Sequence, residues 1–403
     1  MTPLLVNIAA VCSLLAMPLV LTSVASAPAA SDSSVMDLLM PGVSPKQEDT
    51  YLCTAVKLDK NRYIRAFNPQ HQSGHAHHII LTACKEPGSA TEKVWSCGEM
   101  LTKSEGATGG KTYKQAPQCA SDTRIIYAYA MDAPALQLPD GVTFGVGPGF
   151  DLPWLVVQVH YKKASDFVKN PSLKDNSGVK MTYQTTPSPK LGGVHISLTD
   201  GVIPAHSVTH METSCSYDGQ TTLHPFAFRT HTHSHGRVVS GYRVRDGHWS
   251  LIGSANPQMP QMFYPVNGSG VIRPGDMLAA KCVMENTGDK DVSIGATQKD
   301  EMCNFYMMYW IRADDVGKDG SRMCYTSGEL WDLAPSSVMA ASATVPGTER
   351  VFREMNREMD RMDRMMNQML LNGERAASGI DMPGFEDEAN EFYADQPEDF
   401  IEF

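Results

Sequence analysis

From about Leu38 to Tyr325 the chain runs as short apolar stretches broken by Gly, Pro, Asn and Asp. Trp154-Leu155-Val156-Val157-Gln158-Val159-His160-Tyr161, Arg237 to Val244 and Phe305 to Ile311 read as strands, and Asp140-Gly141 and Asp246-Gly247 read as turns between strands. Many short strands with frequent turns predict an all-β fold of two antiparallel β-sandwich, jelly-roll-like domains. Pro187 to Gly193, rich in Pro and Gly, lies midway and sets the expected boundary, with one domain over 38–190 and the other over 191–335.

The pattern then changes. Phe352, Met355, Met359, Met362, Met366 and Met369 are spaced 3, 4, 3, 4 and 3. This heptad stripe predicts a Met-rich amphipathic helix over 350–371, with charged residues on its other faces. Methionine is a soft copper(I) ligand, but a stripe at helical spacing is read first as a packing face. After it, 374–403 holds ten acidic residues against one basic, which is −9 of the net −11, and reads as a solvated, disordered acidic tail. The remaining body is nearly neutral, without the basic face a nucleic-acid binder would need.

Residues 1–30 are apolar and end in small residues, Ala25-Ser26-Ala27, which reads as a signal peptide although a basic start is missing. No comparable apolar run follows. Cys12 lies in that leader, and eight cysteines remain: Cys53, Cys84, Cys97, Cys119, Cys215, Cys282, Cys303 and Cys324. An even number in a secreted chain predicts disulfides, four cysteines to each half. The expected location is the secretory pathway, granule lumen or outside the cell. Asn267-Gly268-Ser269 is a glycosylation sequon.

Thirteen histidines are unevenly placed. His231 and His233, two apart in Thr230-His231-Thr232-His233, would share one face of a strand and suit one metal. His235 continues the alternation as a competing candidate. His77 and His78 are adjacent, so both reach one metal only at a bend or strand end; His75 offers a rival pair with His77. His160 sits in an apolar strand, where a buried imidazole needs a metal or a hydrogen-bond partner. Imidazole suits zinc, copper, iron and nickel, whereas a thioether favours copper(I).

Several runs together resemble one family, the copper type II, ascorbate-dependent monooxygenases, and within it the peptidylglycine α-hydroxylating branch. They are Met40-Pro41-Gly42-Val43, His77-His78 with Cys84, Leu155 to Tyr161, Arg229-Thr230-His231-Thr232-His233, Val238 to Arg245, Gln261-Met262-Phe263-Tyr264-Pro265-Val266 and Asp300-Glu301-Met302-Cys303-Asn304-Phe305-Tyr306. The resemblance implies two copper ions. His77, His78 and His160 would hold the electron-transfer copper; His231, His233 and Met302 would hold the one where oxygen binds. It implies ascorbate as reductant, dioxygen as co-substrate, and glycine-extended peptides hydroxylated at the α-carbon, the first step of C-terminal amidation. Arg229 would anchor the substrate carboxylate, helped by Asn304 and Tyr306, with Tyr306 also beside the chemistry. Gln158 would help connect the two sites. The implied disulfides are Cys53–Cys97, Cys84–Cys119, Cys215–Cys324 and Cys282–Cys303. A further disulfide of mammalian members is missing, with Asn176 where one of its cysteines would be expected. A separate lyase would complete amidation, and a monomer is expected. The alternatives are a phenethylamine β-hydroxylase of the tyramine or dopamine type, or a non-catalytic secreted copper-binding protein.

Overall fold

Alternating polar and apolar positions become strands wherever one face can be buried. The computed structural model describes residues 33–71, 75–98, 113–130, 133–268, 270–295, 300–325 and 328–342. The leader, the Met-rich segment and the acidic tail lie outside the described residues. The fold is all-β and sandwich-like, and the helices among the described residues are short.

In the first half a five-stranded sheet runs in the order Trp95–Ser96, Thr50–Lys57, Trp154–Tyr161, His78–Cys84, Arg124–Ala130. Its central strand is buried on both faces, which explains its near-continuous apolar sequence. Leu155, Val157, Val159 and Tyr161 enter the main core, while Val156 turns to a smaller cluster of Tyr51, Trp95 and the first four cysteines. By the two-residue period His160 shares the face of Val156. Disulfides Cys53–Cys97 and Cys84–Cys119 tie that outer cluster together.

The opposing sheet contains Ser34–Leu39, Gly178–Gln184, Arg62–Gln70 and Val142–Val146. It does not stop at the middle of the chain. It continues through Lys190–Leu198, Asn304–Arg312, His224–His231 and Tyr264–Pro265. The join is a short parallel seam, Val142 opposite Lys190 and Thr143 opposite Leu191. Gly192 and Gly193, in the stretch where the sequence sets the domain boundary, are strand residues. A Cβ at Gly193 would stand 2.5 Å from the Tyr309 ring, so close packing, not looseness, explains glycine there.

The second half closes with a four-stranded sheet, Ser207–Ser216, Met277–Asn286, Gly236–Arg245 and His248–Ala255. Asp246 and Gly247 make the two-residue hairpin loop, with φ of 50° and 75°, the left-handed pair that Asp-Gly favours. Cys215–Cys324 and Cys282–Cys303 staple this half.

Strand Asn304–Arg312 decides which way the second half faces. Phe305, Met307, Tyr309 and Ile311 fill the second core, whereas Tyr306 and Met308 join the core of the first half. Ala227 and Phe263 cross in the same direction. The even-numbered face of this strand thus looks toward the first half, and Asn304 and Tyr306 lie on it.

Candidate metal centres

His78 opens its strand and His77 lies one residue before it, at a bend. That is the strand-end geometry two adjacent histidines need to turn toward one point. His78 pairs in register with His160, and His77 N–H donates to the His160 carbonyl at 2.8 Å. One ring nitrogen from each of His77, His78 and His160 lies within 4.8 Å of the others. Buried His77 Nδ1, His78 Nε2 and His160 Nδ1 have no hydrogen-bond partner. Three converging imidazoles with orphaned nitrogens would be costly without a ligand.

Neighbours fix this cluster. His160 Nε2–H donates to Asp49 Oδ1 at 2.8 Å, which leaves Nδ1 as the lone-pair nitrogen. Tyr51 stacks on the His160 ring at 4.0 Å, nearly parallel. Asp49 itself has a left-handed φ of 56°, and the His160 hydrogen bond holds its carboxyl below the ordinary range. Burial pushes His77 down to about 4, and pushes His78 and His160 below their ordinary value too. All three are neutral at pH 7, the state a metal requires.

The second cluster rests on Arg229, at the inner end of strand His224–His231, and on its neighbour strand. Arg229 pairs opposite Tyr306 and His231 opposite Asn304, so the four side chains form one patch on the face turned toward the first half. His233 lies past the strand end. Its ring is 5.6 Å from that of His231 and perpendicular to it. His231 Nδ1–H donates to Gln261 Oε1 at 2.5 Å, and His233 Nδ1–H to the Asp300 carbonyl at 2.8 Å. Both oxygens can only accept, so Nε2 is the lone-pair nitrogen of each ring. Met302 is buried, with its sulfur 3.8 Å from Asn304 Nδ2.

Glu301 pins the His233 segment to the methionine. Its fully buried carboxylate accepts from the backbone N–H of His233, from His235 N at 2.8 Å and from Met302 N at 2.9 Å. It also takes His235 Nδ1 at 2.9 Å. His235 therefore belongs to the scaffold. His75 goes elsewhere, against Phe167 and 3.9 Å from Asp175. Gln158 donates to the Gly98 carbonyl at 2.6 Å, and among the described residues it has no hydrogen bond to either cluster. The roles of Asp49, Gln261 and Glu301 carry no periodicity or spacing signal. Only the folded hydrogen-bond pattern finds them.

Arg229 is 3% exposed. Its Nε and Nη2 donate to Gln261 O and Oε1 at 2.8 and 3.1 Å, and its guanidinium lies 5.0 Å from the Tyr306 ring centre. Among the described residues no carboxylate pairs with it. Burial pushes its pKa down; burial also depresses His231, and the Arg229 charge adds to that. The same charge also reaches His78, so the two clusters lie within one another's field.

Residues 36–168 match the N-terminal domain, and residues 191–332 the C-terminal domain, of the family described as copper type II ascorbate-dependent monooxygenase. The chain belongs to the copper type II ascorbate-dependent monooxygenases. Within this monooxygenase family it is 38% identical over 307 residues to peptidyl-glycine alpha-amidating monooxygenase A of Xenopus laevis, covering 75% of this chain and 30% of that protein. It is 40% identical over 283 residues to peptidylglycine alpha-amidating monooxygenase of Rattus norvegicus, covering 69% and 27%. Human dopamine beta-hydroxylase is 27% identical over 308 residues, covering 70% and 46%. The chain thus spans about 30% of the length of its amidating relatives. The donor sets suit the family's copper: imidazoles with orphaned nitrogens in one cluster, and in the other imidazoles with a buried thioether that meets Asn304, the residue opposite His231.

Proposed function

We propose that the protein hydroxylates the α-carbon of C-terminal glycine in peptides, with copper, ascorbate and dioxygen, as the first step of C-terminal amidation. The observation that carries this reading is Arg229, a buried cation without a carboxylate partner among the described residues, two residues from His231 on the same strand face. Burying an unpaired charge costs several kcal/mol, and a substrate carboxylate supplies the missing partner. A guanidinium fork takes a carboxylate through paired hydrogen bonds. Asn304 and Tyr306, across the strand, would hold its other side. A carboxylate seated there would turn the adjoining glycine carbon toward His231, two residues along the same strand face.

In this reading His77, His78 and His160 would hold one copper, and His231, His233 and Met302 would hold the second. Copper bound at these sites supplies one-electron steps and the activation of dioxygen. The protein groups set neutral imidazoles, fix which nitrogen carries each lone pair, and orient the substrate. The four disulfides suit an oxidising compartment, and we place the protein in the secretory pathway, as a monomer. A separate lyase would cleave the hydroxyglycine product.

The test is turnover of a peptide ending in Tyr-Val-Gly with copper and ascorbate, followed by mass. One added oxygen on the glycine is expected. Turnover of tyramine and not of the peptide would favour the phenethylamine reading. No turnover of either by the copper-loaded protein would leave a non-catalytic copper-binding protein.

A further inference from the structure

Gln261 touches both halves of the second cluster. It lies between strand His248–Ala255 and the short strand Tyr264–Pro265, and is 3% exposed. Its amide orientation is fixed by its neighbours. Nε2 donates to the carbonyls of Thr232 at 3.1 Å and Pro257 at 2.9 Å. Oε1 is therefore the atom that meets His231 Nδ1 and Arg229 Nη2. The reverse orientation would set an NH2 against a cation and leave two carbonyls without a donor. The backbone oxygen of the same residue accepts from Arg229 Nε.

We infer that Gln261 is a positioning residue that locks the substrate-carboxylate anchor and a copper ligand together, by setting the His231 tautomer and the Arg229 fork through one oxygen. This rests on the roles just proposed for Arg229 and His231. The chemistry follows from what an amide can do and its analogues cannot. A neutral oxygen accepts from both neighbours without neutralising Arg229, so the guanidinium keeps its charge for the peptide. A carboxylate would satisfy His231 equally well but would occupy Arg229 permanently, and it would leave the Thr232 and Pro257 carbonyls without their donor. A hydrocarbon would serve neither.

Two substitutions separate these consequences. The full chain is titrated with copper(I), bound metal is counted after dialysis, and affinity for a Tyr-Val-Gly peptide is measured by equilibrium dialysis without ascorbate. Gln261→Glu is expected to keep both coppers while peptide affinity falls about tenfold or more, the effect of a competing charged hydrogen bond. Gln261→Leu is expected to lose the copper at His231, His233 and Met302 and to weaken peptide binding as well. Should the Leu variant fail to fold, the near-isosteric Glu variant decides the matter. Native peptide affinity in Gln261→Glu would overturn the inference. So would loss of copper together with peptide in that variant, because a purely structural role moves both. If Arg229→Gln bound the peptide as tightly as the native chain, the anchor reading itself would fail, a result distinct from either outcome at Gln261.

Discussion

The two histidine clusters differ in what their surroundings leave open. At His77, His78 and His160 one ring nitrogen of each is orphaned, and the contacts around them, Asp49 and Tyr51, serve to hold His160. At His231 and His233 both Nδ1 atoms are taken by oxygens, a buried thioether meets Asn304 opposite His231, and a guanidinium with no carboxylate partner among the described residues stands alongside. In the proposed reading the first serves a metal alone. The second serves a metal and something anionic. On that reading the two halves of the chain divide holding from reacting, and the difference in their hydrogen bonds is present before any ligand is considered.

The hardest blow to that contrast is Met302→Ile. It removes the thioether while preserving bulk, and activity should fall about a hundredfold or more, with copper loss confined to the second cluster. Full activity would make the methionine a packing residue. Next, Arg229→Gln should raise the apparent KM for peptide about thirtyfold with little change in kcat, because it removes a buried charged contact. An unchanged KM would erase the anionic side of the comparison. Asp49→Asn sharpens the first cluster: copper affinity there should weaken about tenfold, read by competition with a copper(I) chelator, while peptide affinity stays native.

The smallest expected effect on activity comes from His195, a buried histidine outside both clusters, with burial pushing its pKa down to about 4. Its folded pKa lies below the ordinary value, so the unfolded chain takes up more protons between these limits. The stability it contributes is complete above pH 6.5 and is lost as pH falls toward about 4. His195→Gln should flatten the urea-unfolding profile across that window and leave turnover at pH 7 unchanged. A profile as steep as the native one would mean that His195 is charged when folded.

Much of the scaffold was legible. Trp154–Tyr161 is a strand over the limits read from its pattern, and the Asp246-Gly247 turn is a two-residue hairpin. Local rules suffice there because both features depend on neighbouring residues. The sheet that crosses the middle of the chain was not legible, because strand order depends on contacts distant in sequence. His231 and His233 are close, yet not for the reason that spacing suggests. His233 has left the strand, and Asp300 and Glu301 bring it back. The same limit hid Gln261, which stands 30 residues from His231 and whose use depends on the direction of a single amide.

The parallel seam has a consequence for how the molecule comes apart. Two residue pairs, Val142 with Lys190 and Thr143 with Leu191, are few hydrogen bonds beside the two stapled cores they join. Cooperativity between the halves therefore rests largely on the apolar residues that cross, among them Val194, Ile196, Ala227, Phe263, Tyr306 and Met308 from the second half and Tyr63 from the first. One of these, Tyr306, also lines the second cluster. Heating should then release the halves as partly independent melting units, with a calorimetric enthalpy larger than the van't Hoff value. A ligand that stiffens Tyr306 would merge them into one.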